Sequence, residues 1–392
     1  MLVRNTSILK LDSIHKVIEN APVYNDGLFG GVLGLILYYY HYAEITGDLG
    51  TRQKADELIA DLFERVNHGS PRFIGHTFSA GTTGFAYIVQ YLNKQGVLEL
   101  NFKDEFNELD DQLFSFAIAD IDEDKIDYMH GAMGIFLYFI SGDLTIERVR
   151  KINGLFDKLV TKVVFTKDGA HFVNLGLERL TVQHRDLSLA HGLSGILLLI
   201  LKAYPVLNDK ATANKIIEEG IRFIMAYELP IRFPDSEFSI FPCSFRVDTI
   251  EIDRFNRLAW CYGDLNIVLL LYRAATILKI DGCKILADNI GAKTVLRSDY
   301  VSTMVNDTHF CHGSSGLVQF YDTLFRESGV PIYAEAREFW YKITLELALS
   351  ELASGRYSKN PISLLEGWVG VALVLVSREN IRETKWQDLF LL

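Results

Sequence analysis

The 392-residue chain is 49% hydrophobic and 23% charged, values near the globular averages that exclude a disordered chain and predict a large core. Its net charge of -11, with no stripe of Lys and Arg, removes the electrostatic basis for a nucleic-acid partner. The 4 cysteines are too few for a disulfide framework at this length, so in a reducing compartment they are free for metal or catalysis.

The first twenty residues interrupt their apolar positions with charge and lack the continuous apolar core of a signal peptide, and no stretch of about 20 apolar residues follows that spans a membrane. A soluble, cytoplasmic protein is expected. From residue 31 onward one phrase recurs: a glycine, two residues, a second glycine, then an apolar run. The first copy is Gly31-Gly34, leading into LILYYYHYAEI, and the second is Gly81-Gly84, leading into FAYIVQYLNKQ. Between them QKADELIADLFERV carries its apolar residues at three and four spacing, the pattern of an amphipathic helix.

The third copy, Gly131-Gly134, is preceded by His130 and, four positions before the glycine, by Asp127. Read alone, that aspartate is a helix cap. The segment KVVFTKDGAHFVNLGLERLTV is β-rich around a DG turn and predicts a small hairpin. The fourth copy, Gly192-Gly195, follows His191, which reads equally as a general acid or base and as a satisfied histidine at a helix start.

The fifth copy has Gly263 but Asn266 where the second glycine belongs; before it stand Arg257, Cys261 and Tyr262. Arg257 offers a permanent cation for a developing oxyanion, although by itself it reads as a solvated arginine. The sixth copy, Gly313-Gly316, follows Cys311 and His312, with His309 nearby but judged out of register, and Gly367-Gly370 completes the series. Cys261 and Cys311 each stand two residues before the first glycine of neighbouring copies, so superposing the repeats superposes the sulfurs. Two cysteines and a histidine match a catalytic zinc with its fourth position open; the plainer alternative is two buried cysteines beside a polar histidine. Cys243 and Cys283 lie outside this register.

Successive first glycines are 50, 50, 61, 71, 50 and 54 residues apart, enough for a pair of helices per repeat. Seven pairs make an open solenoid or a closed ring. Closure is favoured because the helices after the glycines are apolar nearly all round, as an inner layer sheathed by an outer one must be. Without Pro/Gly/Ser-rich linkers, residues 1-392 are expected to form one all-α domain with the hairpin as an insertion. Glycine is expected before each helix because it takes positive φ and admits close backbone approach.

The phrases AWCYGD, FCHGSSG, LAHGLSG and LLEGWVG, with the sevenfold glycine register, resemble the lanthionine synthetase C-like (LanC) family of peptide cyclases over nearly the whole chain. The resemblance implies a double-layered α/α toroid and one catalytic Zn2+ held by Cys261, Cys311 and His312. It matches the family's catalytic histidine to His191, its aspartate to Asp127, and its arginine and tyrosine to Arg257 and Tyr262. The implied activity adds cysteine thiolates to dehydroalanine or dehydrobutyrine in a dehydrated precursor peptide, forming lanthionine or methyllanthionine. A separate dehydratase and a transporter are the implied partners, and any peripheral membrane association comes through them. Two other activities remain open at this point: addition of glutathione to dehydroamino acids, and a non-catalytic scaffold with structural zinc.

Overall fold

A computed structural model describes residues 2-101, 105-177, 180-249, 252-379 and 385-392. Fifteen helices stand among these residues, in chain order α1 (Leu2–Glu19), α2 (Val32–Thr46), α3 (Leu49–Asn67), α4 (Thr82–Lys94), α5 (Asn107–Asp122), α6 (Ala132–Ser141), α7 (Ile146–Val160), α8 (Leu193–Ala203), α9 (Lys210–Met225), α10 (Asp264–Leu278), α11 (Asp281–Val295), α12 (Tyr300–Thr303), α13 (Ser314–Ser328), α14 (Pro331–Ser354) and α15 (Trp368–Glu379). No helix among the described residues is long and apolar enough to cross a membrane.

The seven helices that follow the glycine phrases (α2, α4, α6, α8, α10, α13, α15) form an inner layer. Each touches the next in this order, and α15 touches α2, so the ring is closed. Their composition explains the placement: Ala132 to Phe139 of α6 and Leu193 to Leu201 of α8 are buried without a break. The helices between them bury one stripe only, such as Ala55, Ile59 and Leu62 of α3, and cover the inner layer from outside. The double-layered α/α toroid is thus the observed fold.

The DG segment forms the anticipated hairpin, β1 (Val164–Thr166) against β2 (Gly169–His171). A second, antiparallel sheet of order β3-β4-β5 was not anticipated: β3 (His184–Asp186) pairs with β4 (Ser244–Arg246), which pairs with β5 (Ile252–Asp253). It joins the two long insertions and ties down the approach to His191, because Leu187 N–H donates to Cys243 O just beyond β3.

The reason for the glycine phrase is close approach rather than positive φ. Gly31, Gly81, Gly131, Gly192 and Gly313 are extended, while Gly263 stands at φ 101°. In all six intact copies a Cβ on the second glycine would fall under 3.0 Å from the carbonyl oxygen six residues earlier, that of Leu28, Phe78, Tyr128, Leu189, Phe310 or Leu364. In the fifth copy Asn266 takes over this role chemically: its Nδ2 donates to the corresponding oxygen, that of Trp260, at 2.7 Å. Gly316→Ala is therefore expected to cost about 1–3 kcal/mol or more through overpacking against Phe310 O. Gly282→Ala, in open space near the start of α11, should be neutral or slightly stabilising. Urea midpoints compare the two; equal midpoints would sink this account of the phrase.

The loops before the glycines also bond to one another, always through the carbonyl of the residue two before the glycine. Leu28 and Phe29 N–H donate to Ser79 O, Ser79 N–H to Met129 O, Leu189 and Ala190 N–H to Cys261 O, Trp260 N–H to Cys311 O, Cys311 N–H to Leu365 O, and Leu364 N–H to Phe29 O. Six of the seven loop-to-loop steps are closed this way. Between the third and fourth loops side chains make the joint: Asn174 Oδ1 accepts from Ile126 N–H, and its Nδ2 donates to His191 O at 2.8 Å.

Beneath the loops, the residues three before each glycine (Leu28, Phe78, Tyr128, Leu189, Trp260, Phe310, Leu364) are all at most 1% exposed. Residues 386-392 pack against this floor. The Phe390 ring lies 4.1 Å from that of Phe310 and 5.1 Å from that of Trp260, Trp260 Nε1–H donates to Phe390 O at 2.9 Å, and Tyr128 O–H donates to Leu389 O. Residues 386-392 thus back Tyr128, next to Asp127, and the residues immediately before Cys261 and Cys311.

Candidate metal centre and active site

Because each loop repeats the same backbone path, each position in it has a fixed task. In five of the seven loops the side chain four before the glycine accepts the N–H of the residue one before the glycine: Thr77 for Ala80, Asp127 for His130, Ser188 for His191, His309 for His312 and Ser363 for Glu366, whereas Gly27 and Ala259 hold that position in the other two. These side-chain turns fix the residue before the glycine at the mouth of the ring. His130, His191, Tyr262 and His312 all occupy that position and are half-buried, while Glu366 is exposed. His309, read from the sequence as out of register, is in register after all: it is the turn acceptor of the sixth loop. Chemically different groups perform one task there, so no residue type marks it.

Cys261, Cys311 and His312 meet. Their ligand atoms lie within 4.8 Å of one another, the one such Cys/His/carboxylate cluster among the described residues. Cys261 Sγ is 2.9 Å and Cys311 Sγ 3.5 Å from His312 Nε2. Both thiols are buried, and both cysteine carbonyls accept loop-to-loop bonds, so the main chain places the sulfurs independently of any ion. Burial, and then Cys311, pushes the Cys261 thiol up; Cys311 is held below its ordinary value by the Cys261 thiol first and by the His312 imidazole, against burial. Two soft thiols and a borderline imidazole are the donor set zinc prefers; with Zn–S about 2.3 Å and Zn–N about 2.0–2.1 Å, three such atoms around one ion stand close together as they do here. The residues present fit the metal.

Tyr262 and Arg257 are at the same site. The Tyr262 ring lies 5.4 Å from the His312 ring. The Arg257 charge acts on Tyr262, Asp307, His309 and His312, yet among the described residues its guanidinium has no hydrogen bond or ion pair. Tyr262 is pushed well above its ordinary value, mainly by burial, and remains an O–H donor. Asp307 is engaged elsewhere, bonding Arg356 at 3.1 Å.

The second group is Asp127 with His191. Asp127 is fully buried, and its Oδ1 accepts the N–H groups of Met129 and His130 at 2.9 Å each and meets His191 Nδ1 at 3.2 Å. Asp127 is therefore both the turn cap that its sequence context suggests and the partner of the histidine. Gly176 allows this, since a Cβ there would collide with Asp127 Oδ2. The fourth loop is joined to the ligand-bearing fifth through Ala190 N–H to Cys261 O, which brings the histidine pair and the thiol cluster to one mouth.

Of the other cysteines, Cys283 lies buried on α11, away from the cluster. Cys243 is closer than its place outside the register suggests: it precedes β4 and contributes to raising the Cys261 thiol. The sequence reading missed Asn174, whose joint between the third and fourth loops carries no motif.

A family model described as lanthionine synthetase C-like protein matches residues 22–391. Among solved structures, nisin cyclase is similar with a TM-score of 0.74 at 19% sequence identity, covering 100% of this chain and 97% of that chain. A family 76 glycoside hydrolase from a bovine Bacteroides thetaiotaomicron strain follows at TM-score 0.46 and 11% identity, covering 95% of this chain and 77% of that one. The GH76A alpha-1,6-mannanase of Salegentibacter sp. HEL1_6 gives 0.44 and 9%, covering 95% and 98%. No curated protein matches the chain.

Proposed function

Because the chain belongs to the lanthionine synthetase C-like family, we propose that it is a zinc-dependent peptide cyclase that joins cysteine thiols to dehydroalanine or dehydrobutyrine within one dehydrated precursor peptide. The observation that carries this reading is the shared mouth: a metal-competent cluster of Cys261, Cys311 and His312 beside a carboxylate-held histidine. Zinc held by these three residues would keep a fourth position for a substrate thiol and lower its pKa toward neutrality.

The remaining chemistry falls to side chains. Addition of sulfur to Cβ moves the double-bond electrons toward the adjacent carbonyl and creates an enolate. The Arg257 guanidinium, without a hydrogen bond or ion pair among the described residues, is the permanent cation for that charge, and Tyr262 O–H is a donor that positions the peptide carbonyl. His191 carries the proton at Nε2, and Asp127 orients the ring through Nδ1. The dehydroamino acids must be supplied by a preceding dehydration of the precursor, and the product is a thioether ring of unchanged mass.

The test follows from that mass balance. Zinc-loaded protein incubated with dehydrated precursor should remove one alkylatable thiol per ring while the peptide mass stays constant. Full alkylation across several precursors would defeat the cyclase reading, and a mass gain of one glutathione when that thiol is supplied would replace it with glutathione addition.

A further inference from the structure

His130 is the one histidine of the mouth left without a role. It occupies the position immediately before the third glycine, as His191 does in the fourth loop and His312 in the sixth. Its ring lies nearly parallel to that of His191, with centroids 5.5 Å apart and planes 12° from parallel. Its Nδ1 meets Ser79 Oγ at 3.1 Å, and its own N–H is fixed by Asp127 Oδ1. Among the described residues nothing bonds Nε2 of either ring. The two imidazoles therefore stand side by side, anchored at Nδ1 by different groups: a buried carboxylate for His191, a neutral hydroxyl for His130.

That difference separates their chemistry. A carboxylate at Nδ1 only accepts, so it holds the His191 ring by its Nδ1–H, whereas the Ser79 hydroxyl can donate or accept; with Nδ1–H given to Ser79 Oγ, His130 keeps a lone pair at Nε2. Two stacked rings at this distance also resist carrying two charges.

We propose that His130 is a second catalytic residue, the base that takes the proton of the substrate thiol, leaving His191 as the acid that protonates Cα. This rests on the cyclase reading and divides its two proton transfers. The thiol S–H bond breaks and its proton goes to His130 Nε2; the S–Cβ bond forms as the Cα–Cβ π bond opens; His191 Nε2 then gives its proton to Cα. His130 ends charged and His191 neutral, and one proton passed between them at the solvent-facing mouth restores the pair. The peptide gains and loses no atoms. Burial, with His191 as a lesser cause, holds His130 below its ordinary value against the pull of Asp127, which suits a base that is neutral at pH 7. Asp127 on its own loop and His191 opposite are the titratable groups acting on it; Ser79 faces it from the second loop.

The test uses full-length zinc-loaded protein and a synthetic peptide with one dehydroalanine and one downstream cysteine. His130→Ala should retain its zinc, form the thioether about 10²-fold more slowly, and recover part of that rate with added imidazole, more with more basic imidazoles. A rate within twofold of wild type, or a loss that imidazole does not repair, overturns the proposal. A substrate-free measurement separates this from failure of the cyclase reading: in protein labelled with nitrogen-15 histidine, His191→Ala should raise the titration midpoint of His130. An unchanged midpoint overturns the pairing, while absence of thioether in the wild type counts against the cyclase reading instead.

Discussion

Cys311→Ala should yield a folded protein without its metal: about one zinc per chain in the wild type and under about a tenth in the variant, since even outer-shell substitutions around metal ligands weaken binding 10–100-fold. The fold should survive because what Cys311 gives the ring is main chain. Its N–H donates to Leu365 O and its carbonyl accepts Trp260 N–H, and alanine keeps both. What is lost is one of three donors in a cluster whose atoms lie within 4.8 Å of one another. Thioether formation should fall with the zinc. Cys283→Ala, a buried cysteine on α11, is the matched control and should keep its full complement. Zinc quantified by atomic emission after dialysis, alongside circular dichroism, decides the matter: a Cys311→Ala protein with one equivalent of zinc would overturn the ligand assignment.

His191→Ala should do the opposite, keeping the zinc and losing about 10²–10⁴-fold in the rate of ring formation, the usual contribution of a general acid or base. Here too the backbone is indifferent to the substitution. His191 N–H is held by Ser188 Oγ and its carbonyl by Asn174 Nδ2, and neither contact involves the ring. Asp127→Asn should fall between wild type and His191→Ala, because asparagine keeps an oxygen for the turn N–H groups of Met129 and His130 but not the charge that orients the imidazole. Single-turnover rates on a peptide already bound separate this loss from weakened binding. A His191→Ala rate within threefold of wild type removes the histidine from the chemistry.

Much of this was legible in the sequence, and the reasons are physical. Glycine is the one residue that admits a carbonyl at the position of its missing Cβ, so the same crossing leaves one letter pattern in six of the seven loops. Donor atoms at equal offsets leave a visible mark, so spacing singled out Cys261 and Cys311 with His312 beside them, while the choice of a metal-holding set over two buried cysteines came from the family resemblance. Closure of the ring was legible only as a preference, because an apolar inner helix looks the same in a solenoid; the bond from Leu364 N–H to Phe29 O is what closes it. Other features left no pattern. The turn acceptor four before the glycine is threonine, aspartate, serine or histidine, any group with a lone pair within reach, and this concealed the place of His309. Strands β3 to β5 are too short for a period of two to show, and pair residues as distant as His184 and Arg246. Asn266 reads as a defect in the repeat, yet its amide bonds the same carbonyl that its glycine counterparts admit.

The packing of residues 386-392 under the loops sets an order of events during synthesis. Cys261 and Cys311 leave the ribosome well before Phe390, whose ring packs against Phe310 and Trp260, the immediate neighbours of the two ligands. The last of these contacts follows Cys311 by roughly 80 residues, or about 4–16 s at ~5–20 residues per second. During that interval the nascent chain has both thiols but not their aromatic backing, so the Cys261, Cys311 and His312 cluster gains its final support only after a long stretch of further chain has been made.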